Sequence, residues 1–285
     1  MGINSARGRS IRTRSVLKKH SIRPGVNVKF RSLGPFEITT EDGRSHIPPT
    51  PKVCQVLALL LTRPEEIVPV DLFMEELWSD NPPRSALTTL QTYIYHSRRM
   101  FVTEGLADPE ETVVVTRNPG YLIRLADHQL DAHEFENMVK TGRRAADQGF
   151  LEIAEQKLRH ALEMWHGPAL ANISTGRVLS GYATYLEELR IRAVERHIEV
   201  AKRLGRDRDL IPELRSLIQQ YPLNEWFHAQ LIESLNVSGR RAEALQAYQS
   251  LRQLLTDELG LDPSPDVQRL HHDVLNPSRR PERAA

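Results

Sequence analysis

One regularity limits what the second half of this chain can become. Gly205, Leu210, Leu214, Leu217 and Tyr221 return 34 positions later as Gly239, Ala244, Tyr248, Leu251 and Leu255, and a related set, Gly149, Ala154, Leu158, Ala161 and Trp165, precedes them. A period of 34 is that of the tetratricopeptide repeat, a helix-turn-helix unit. Glycine sits in the turn, small residues let the paired helices approach, and large ones fill the gap. Each pair leaves an apolar face that only a neighbour can cover. Residues 130–275 are therefore expected to form one compact right-handed helical bundle, with an insertion from Gly167 to Tyr182 between the first two copies.

Residues 27–127 read differently. Val28–Ile38 carries two short strands around a Gly-Pro break, and Asp42-Gly43 signals a hairpin turn. A helix is expected over Lys52–Thr62 with Val53, Val56, Leu57, Leu60 and Leu61 inward, ended by Arg63-Pro64. A second, Leu72–Trp78, has Asp71 as its N-cap; a loop, Trp78–Arg84, leads to a third, Ser85–Phe101, capped by Ser85. Strands Thr112–Arg117 and Tyr121–Leu125 flank Asn118-Pro119-Gly120. Two helices across a short loop followed by a hairpin make a winged helix. The fold class is thus mainly α with a small β component: an N-terminal winged helix-turn-helix, then an all-α tetratricopeptide-like domain.

The third helix has two unlike sides. Ala86, Leu87, Leu90, Tyr93, Ile94, Ser97 and Phe101 share one; Ser85, Thr88, Thr92, Tyr95, His96 and Arg99 share the other, with Gln91 and Arg98 flanking. The polar side has no carboxylate. Hydroxyls, an amide and guanidiniums match base edges and phosphates; an ordinary amphipathic helix with a solvated face is the alternative. Arg117 either enters a minor groove from the hairpin tip or sits on an exposed turn. Tyr121 is expected to pack.

The net charge of +1 hides a segregation. Residues 1–26 hold Arg7, Arg9, Arg12, Arg14, Lys18, Lys19 and Arg23 and no acid, and read as a disordered tail: a phosphate-binding arm, a plain solvated tail, or sequence before an alternative start. In residues 27–130 acids outnumber bases, but Arg84, Arg98, Arg99 and Arg117 cluster at the third helix and hairpin. Glu65, Glu66, Asp71, Glu75 and Glu76 lie earlier and would suit a protein partner. The lone Cys54 excludes an internal disulfide and is expected as a buried small hydrophobe in a reducing cytoplasm. The sequence contains no membrane-length apolar run and no signal-peptide core. It also lacks GxxxxGK, HExxH, CxxC and GxSxG, and its histidines miss metal spacings. Glu187-Glu188 reads as a solvated helix face. No cofactor, no metal and no enzyme activity are expected. Residues 276–285 read as a flexible tail.

The ordered stretches LGPFEI, PKVCQVLALLL, DLFMEELWSDNPP, TLQTYIYHSRRMF, VVVTRNPGYLIRL, LDAHEFE, ALEMWHGPAL, YLEELRIRAVERHIE, YPLNEWFHAQLI and GRRAEALQAYQSLRQLLTDELGLDPSP together resemble the Streptomyces antibiotic regulatory protein family, of the small type. The resemblance spans about residues 28–275. It implies an OmpR-type winged helix followed by a bacterial transcriptional activation domain. The function implied is an activator that binds direct repeats near promoters as a dimer, recruits RNA polymerase holoenzyme through sigma factor or the alpha subunit, and switches on antibiotic gene clusters. By position, Thr88, Thr92 and His96 would face bases beside Gln91; Arg84, Thr89, Arg98 and Arg99 would meet phosphate; Arg117 would be the wing residue. His96 departs from the arginine or glutamine common in related winged helices, and a neutral imidazole reads bases less well. Trp78, Ser79, Asp80 and Asn81 correspond to a loop that touches polymerase. No receiver domain precedes the winged helix, so aspartyl phosphorylation is not expected. The implied location is cytoplasmic, at the nucleoid and not the membrane. Three rivals remain open: a repressor with the same DNA contacts; an adaptor whose repeats bind a peptide in their groove while the winged helix docks protein, favoured by the acidic Glu65–Glu76 region; and a ligand sensor using the bundle interior.

Overall fold

The computed structural model describes residues 28–107 and 112–276. The expectations for the basic tail and for residues 277–285 lie outside them. An antiparallel sheet opens the chain: β1 (Val28–Arg31), β2 (Glu37–Thr40) and β3 (Ser45–His46), with Phe30 opposite Ile38 and Ile38 opposite His46. Gly43 turns β2 into β3 at φ 81°, a left-handed conformation that suits glycine. Helix α1 (Pro51–Leu61) follows; Thr50 caps it by accepting from the Val53 N–H at 3.3 Å. Every residue from Val53 to Leu61 is buried.

A two-residue strand, β4 (Val68–Pro69), leads into α2 (Val70–Trp78). Asp71 does not cap α2: Pro69 holds the cap position and Asp71 lies in the first turn, where it still favours the helix dipole. Helix α3 (Ala86–Thr103) begins at Ser85, whose side chain makes no capping hydrogen bond. Strands β5 (Val114–Arg117) and β6 (Gly120–Ile123) form the hairpin, and β6 pairs with β4 in a sheet ordered β4-β6-β5. Gly120 is required here, since a β-carbon would stand 1.9 Å from the Val68 carbonyl oxygen. Tyr121 is buried edge-on against Phe73, as expected of packing.

A short 3₁₀ turn (Asp127–Gln129) joins this unit to seven helices among the described residues: α4 (Asp131–Asp147), α5 (Leu151–Glu163), α6 (Arg177–Arg203), α7 (Asp207–Gln220), α8 (Glu225–Val237), α9 (Arg241–Leu259) and α10 (Pro265–Leu275). The repeat residues Ala154, Leu158 and Ala161, Leu210 and Leu214, and Ala244, Tyr248 and Leu251 are all buried. Gly149, Gly205 and Gly239 take positive φ in the turns, the conformation that selects glycine there. The expected insertion is loop only to Gly176; Arg177 already starts α6.

Burial does not divide where the sequence character changes, near residues 127–130. One buried cluster runs from β1 through the winged helix, α4 and α5 to Val200 in α6; a second joins the end of α6 to α7–α10. Two buried carboxylates fix the junction. Asp131, at the start of α4, accepts from the Ser32 N–H at 2.9 Å, the Leu33 N–H at 3.0 Å, the Ser32 hydroxyl at 2.8 Å and its neighbour Ala132 N–H. Burial pushes its carboxyl above the ordinary value, and those hydrogen bonds oppose the shift. Glu76 of α2 caps α6, accepting from the N–H groups of Gly176 (2.6 Å), Val178 (2.9 Å) and Leu179 (3.0 Å).

Candidate nucleic-acid interface

Helix α3 is held from beneath. Leu90, Ile94, Ser97 and Phe101 are buried, and the Ser97 hydroxyl avoids isolation by donating to the Tyr93 carbonyl at 2.9 Å. Phe101 meets Phe30 edge-on, and Tyr93 stacks on Trp78. The opposite flank stays open with the helical domain in place: Arg84, Thr88, Gln91, Thr92, Tyr95, His96 and Arg99 are all exposed, and Thr89 is half-buried.

One member of the expected inward side stays out of the core. Leu87 is 50% exposed and lies outside the buried cluster. The buried residues centre on the direction of Leu90, Ser97 and Phe101, and at about 100° per residue Leu87 falls beyond their edge. Tyr95, 57% exposed, stands near the middle of the open flank with its ring edge-on to His96.

The hydroxyls differ in what they offer. Thr89 donates to the Ser85 carbonyl at 2.9 Å and Thr92 to the Thr88 carbonyl at 3.0 Å, so both keep acceptor lone pairs and a methyl outward. Thr88 makes no such bond among the described residues and offers donor and acceptor alike. The arginines divide too. Arg84, Arg99 and Arg117 are exposed, and no ion pair among the described residues engages them. Arg98, expected at phosphate, also has a structural role: its Nε donates to the Val114 carbonyl at 2.8 Å and its Nη2 to the Thr116 hydroxyl at 2.8 Å, tying α3 to the hairpin. Its guanidinium thus holds β5, the strand that ends at Arg117. The first turn of α3 carries no acid, which leaves the positive end of the helix dipole unopposed.

Of the proposed polymerase-contact residues, Ser79, Asp80 and Asn81 are exposed. Trp78 is half-buried and committed to its stack on Tyr93, ring centroids 6.5 Å apart. The acidic region is partly engaged, while Glu66 and Asp71 stay exposed. Glu65 accepts from the Leu125 N–H at 2.7 Å, Glu75 pairs with Arg177, and Glu76 caps α6. Nothing in the sequence distinguishes Glu76 from Glu75; only the arrival of a helix N-terminus a hundred residues later does. Cys54 is buried, with its thiol held protonated by desolvation. Among the described residues there is no cluster of side chains fit for a metal, and no helix is long and apolar enough to cross a membrane.

An acid-free recognition helix, a wing and a helical domain define a DNA-binding transcriptional activator. The comparisons agree. Residues 43–123 match the model for the C-terminal domain of transcriptional regulatory proteins, and residues 130–275 match the bacterial transcriptional activator domain. Regulatory protein DnrI of Streptomyces peucetius is 38% identical over 251 residues, 87% of this chain and 92% of the relative. Transcriptional regulator RedD of Streptomyces coelicolor is 31% identical over 253 residues, 88% of this chain and 71% of that one. The solved structure of Mycobacterium tuberculosis EmbR in complex with a low-affinity phosphopeptide superposes with a TM-score of 0.80 at 31% identity, covering 90% of this chain and 66% of that one. The chain belongs to the Streptomyces antibiotic regulatory protein family, whose members are transcriptional regulators and not enzymes. Membership implies interaction with DNA and RNA polymerase.

Proposed function

We propose that the protein is a pathway-specific activator of an antibiotic or other secondary-metabolite gene cluster, acting at the nucleoid in the cytoplasm. Two protomers bind side by side on direct repeats near a promoter. Each inserts α3 into a major groove, with Thr88, Gln91, Thr92 and His96 at base edges, Arg84, Thr89 and Arg99 at phosphates, and Arg117 at the flanking minor groove. The loop Ser79–Asn81 faces the sigma factor or alpha subunit of RNA polymerase. The observation that carries this reading is the open, carboxylate-free flank of α3 beside three exposed guanidiniums, Arg84, Arg99 and Arg117, that no ion pair among the described residues engages. Glu76 is buried against α6, which removes one carboxylate from the surface that the adaptor reading needs; Glu65, Glu66 and Asp71 stay exposed, and a pull-down that yields only protein partners would favour that reading. Footprinting on the promoters near the gene, followed by transcription with purified polymerase, tests the proposal. It expects two protected repeats in the same orientation and raised transcript; a single protected site, or lowered transcript, contradicts it.

A further inference from the structure

Leu87 is out of place for an ordinary surface. It sits in the first turn of α3, half exposed, outside the buried cluster, and flanked along the helix by the exposed polar residues Arg84, Thr88 and Gln91. The flank it belongs to is the one that reads DNA under the function proposed above, on which this inference rests. In the major groove the only apolar feature of a base edge is the C5-methyl group of thymine. An aliphatic side chain there gains by covering that methyl and loses by desolvating the polar edges of any other base.

The neighbour one turn on sharpens the assignment. Gln91 is exposed at i+4 from Leu87, so the two side chains lie on one stripe, about 6 Å apart along the axis. That is roughly two base steps of about 3.4 Å. Glutamine pairs bidentately with the N6 and N7 of adenine. Arg98, on the same side of the helix, is tied to Val114 and Thr116 and does not compete for this part of the groove.

We propose that Leu87 is a specificity residue that recognises a thymine C5-methyl, within about two base pairs of an adenine read by Gln91. The stripe thus selects an A·T-containing element in each half-site.

The test uses the full-length protein and a duplex selected by it from a random pool. Each thymine is replaced in turn by deoxyuridine, which removes the methyl and nothing else, and affinity is read by fluorescence anisotropy at fixed salt. For the unsubstituted protein, one thymine per half-site costs about fourfold when demethylated, the size expected for one buried methyl. Leu87→Ala binds more weakly and is indifferent to uridine at that position, while Leu87→Met keeps the sensitivity. Because the side chain lies outside the core, both variants retain the wild-type melting temperature. The inference is overturned if Leu87→Ala retains the full uridine penalty, if no single thymine matters to the wild type, or if Leu87→Ala binds DNA normally and loses only polymerase-dependent transcription. That last result assigns Leu87 to a protein surface. Failure of the wild-type protein to select any duplex strikes the parent reading instead, and this inference with it.

Discussion

Replacing Glu76 by glutamine removes one charge and adds two hydrogens at a site with no room for either change. The residue is 2% exposed. Its Oε2 accepts from the Val178 and Leu179 N–H groups, and its Oε1 from the Gly176 N–H and the Gln55 side-chain amide, all within 3.0 Å. A carboxamide presents one acceptor and one donor, so two of these four donors face an NH₂. Charge-assisted hydrogen bonds contribute about 1.5–3 kcal/mol each, and a buried donor left unsatisfied costs about 1–3 kcal/mol. The wild-type burial cost of the charge offsets part of this. A net loss of about 3 kcal/mol follows, or a fall of about 1 M in the urea midpoint at a slope near 3 kcal/mol/M. Unfolding followed by circular dichroism measures it, and Glu75→Gln, which removes only the ion pair to Arg177, serves as the control with a change below about 0.5 kcal/mol. Because the first buried cluster spans both the winged helix and α4–α6, the same variant should make the junction near residues 170–177 a proteolytic cut site. A midpoint within 0.2 M of wild type, on the order of experimental error, would refute the argument that this carboxylate holds the two parts together.

Arg99→Ala should weaken binding to every duplex alike and reduce the magnitude of the salt slope by about one, whereas Thr88→Ala should relax base preference by about 1–3 kcal/mol at one position; anisotropy titrations over a salt series separate the two. Gly120→Ala sets a β-carbon against the Val68 carbonyl, so β6 must move from β4 and the melting temperature should drop by several degrees; an unchanged melt would show that the wing tolerates the shift. His228 is buried and its Nε2–H donates to the Pro222 carbonyl at 2.9 Å; burial lowers its ionisation below the ordinary 6.5. The neutral ring therefore contributes stability that is present above pH 6.5 and lost as pH falls through the depressed value, so His228→Gln should flatten the decline of the urea midpoint between pH 7 and pH 5.

Much of this architecture is written in local signals. The repeat Gly205–Tyr221 and its echo marked α7–α9 because glycine turns and small-large alternation report packing between neighbours in the chain. The hairpin at Asn118-Pro119-Gly120 announced the wing for a similar reason. What stayed hidden depends on distant partners. Leu87 looked like core because periodicity says which side a residue lies on but not how wide the covered stripe is, and its edge falls short of that residue. The tie from Arg98 to the hairpin stayed hidden because nothing in the helix itself tells that Val114 and Thr116 will come within reach. Glu76 looked like surface charge because the helix it caps begins a hundred positions later. Asp131, likewise, gives no local sign that the Ser32–Leu33 backbone will close on it.

The central claim is that the open flank of α3 enters the groove. Since Cys54 is buried, a single cysteine introduced by Thr92→Cys can carry an iron chelate that cuts DNA within reach. Cleavage confined to a few base pairs inside each protected half-site is the predicted result, with none from the same chelate on Leu261→Cys, an exposed position after α9. Cuts from the Leu261 position inside the site, with the Thr92 position silent while the complex stays bound, would contradict the account.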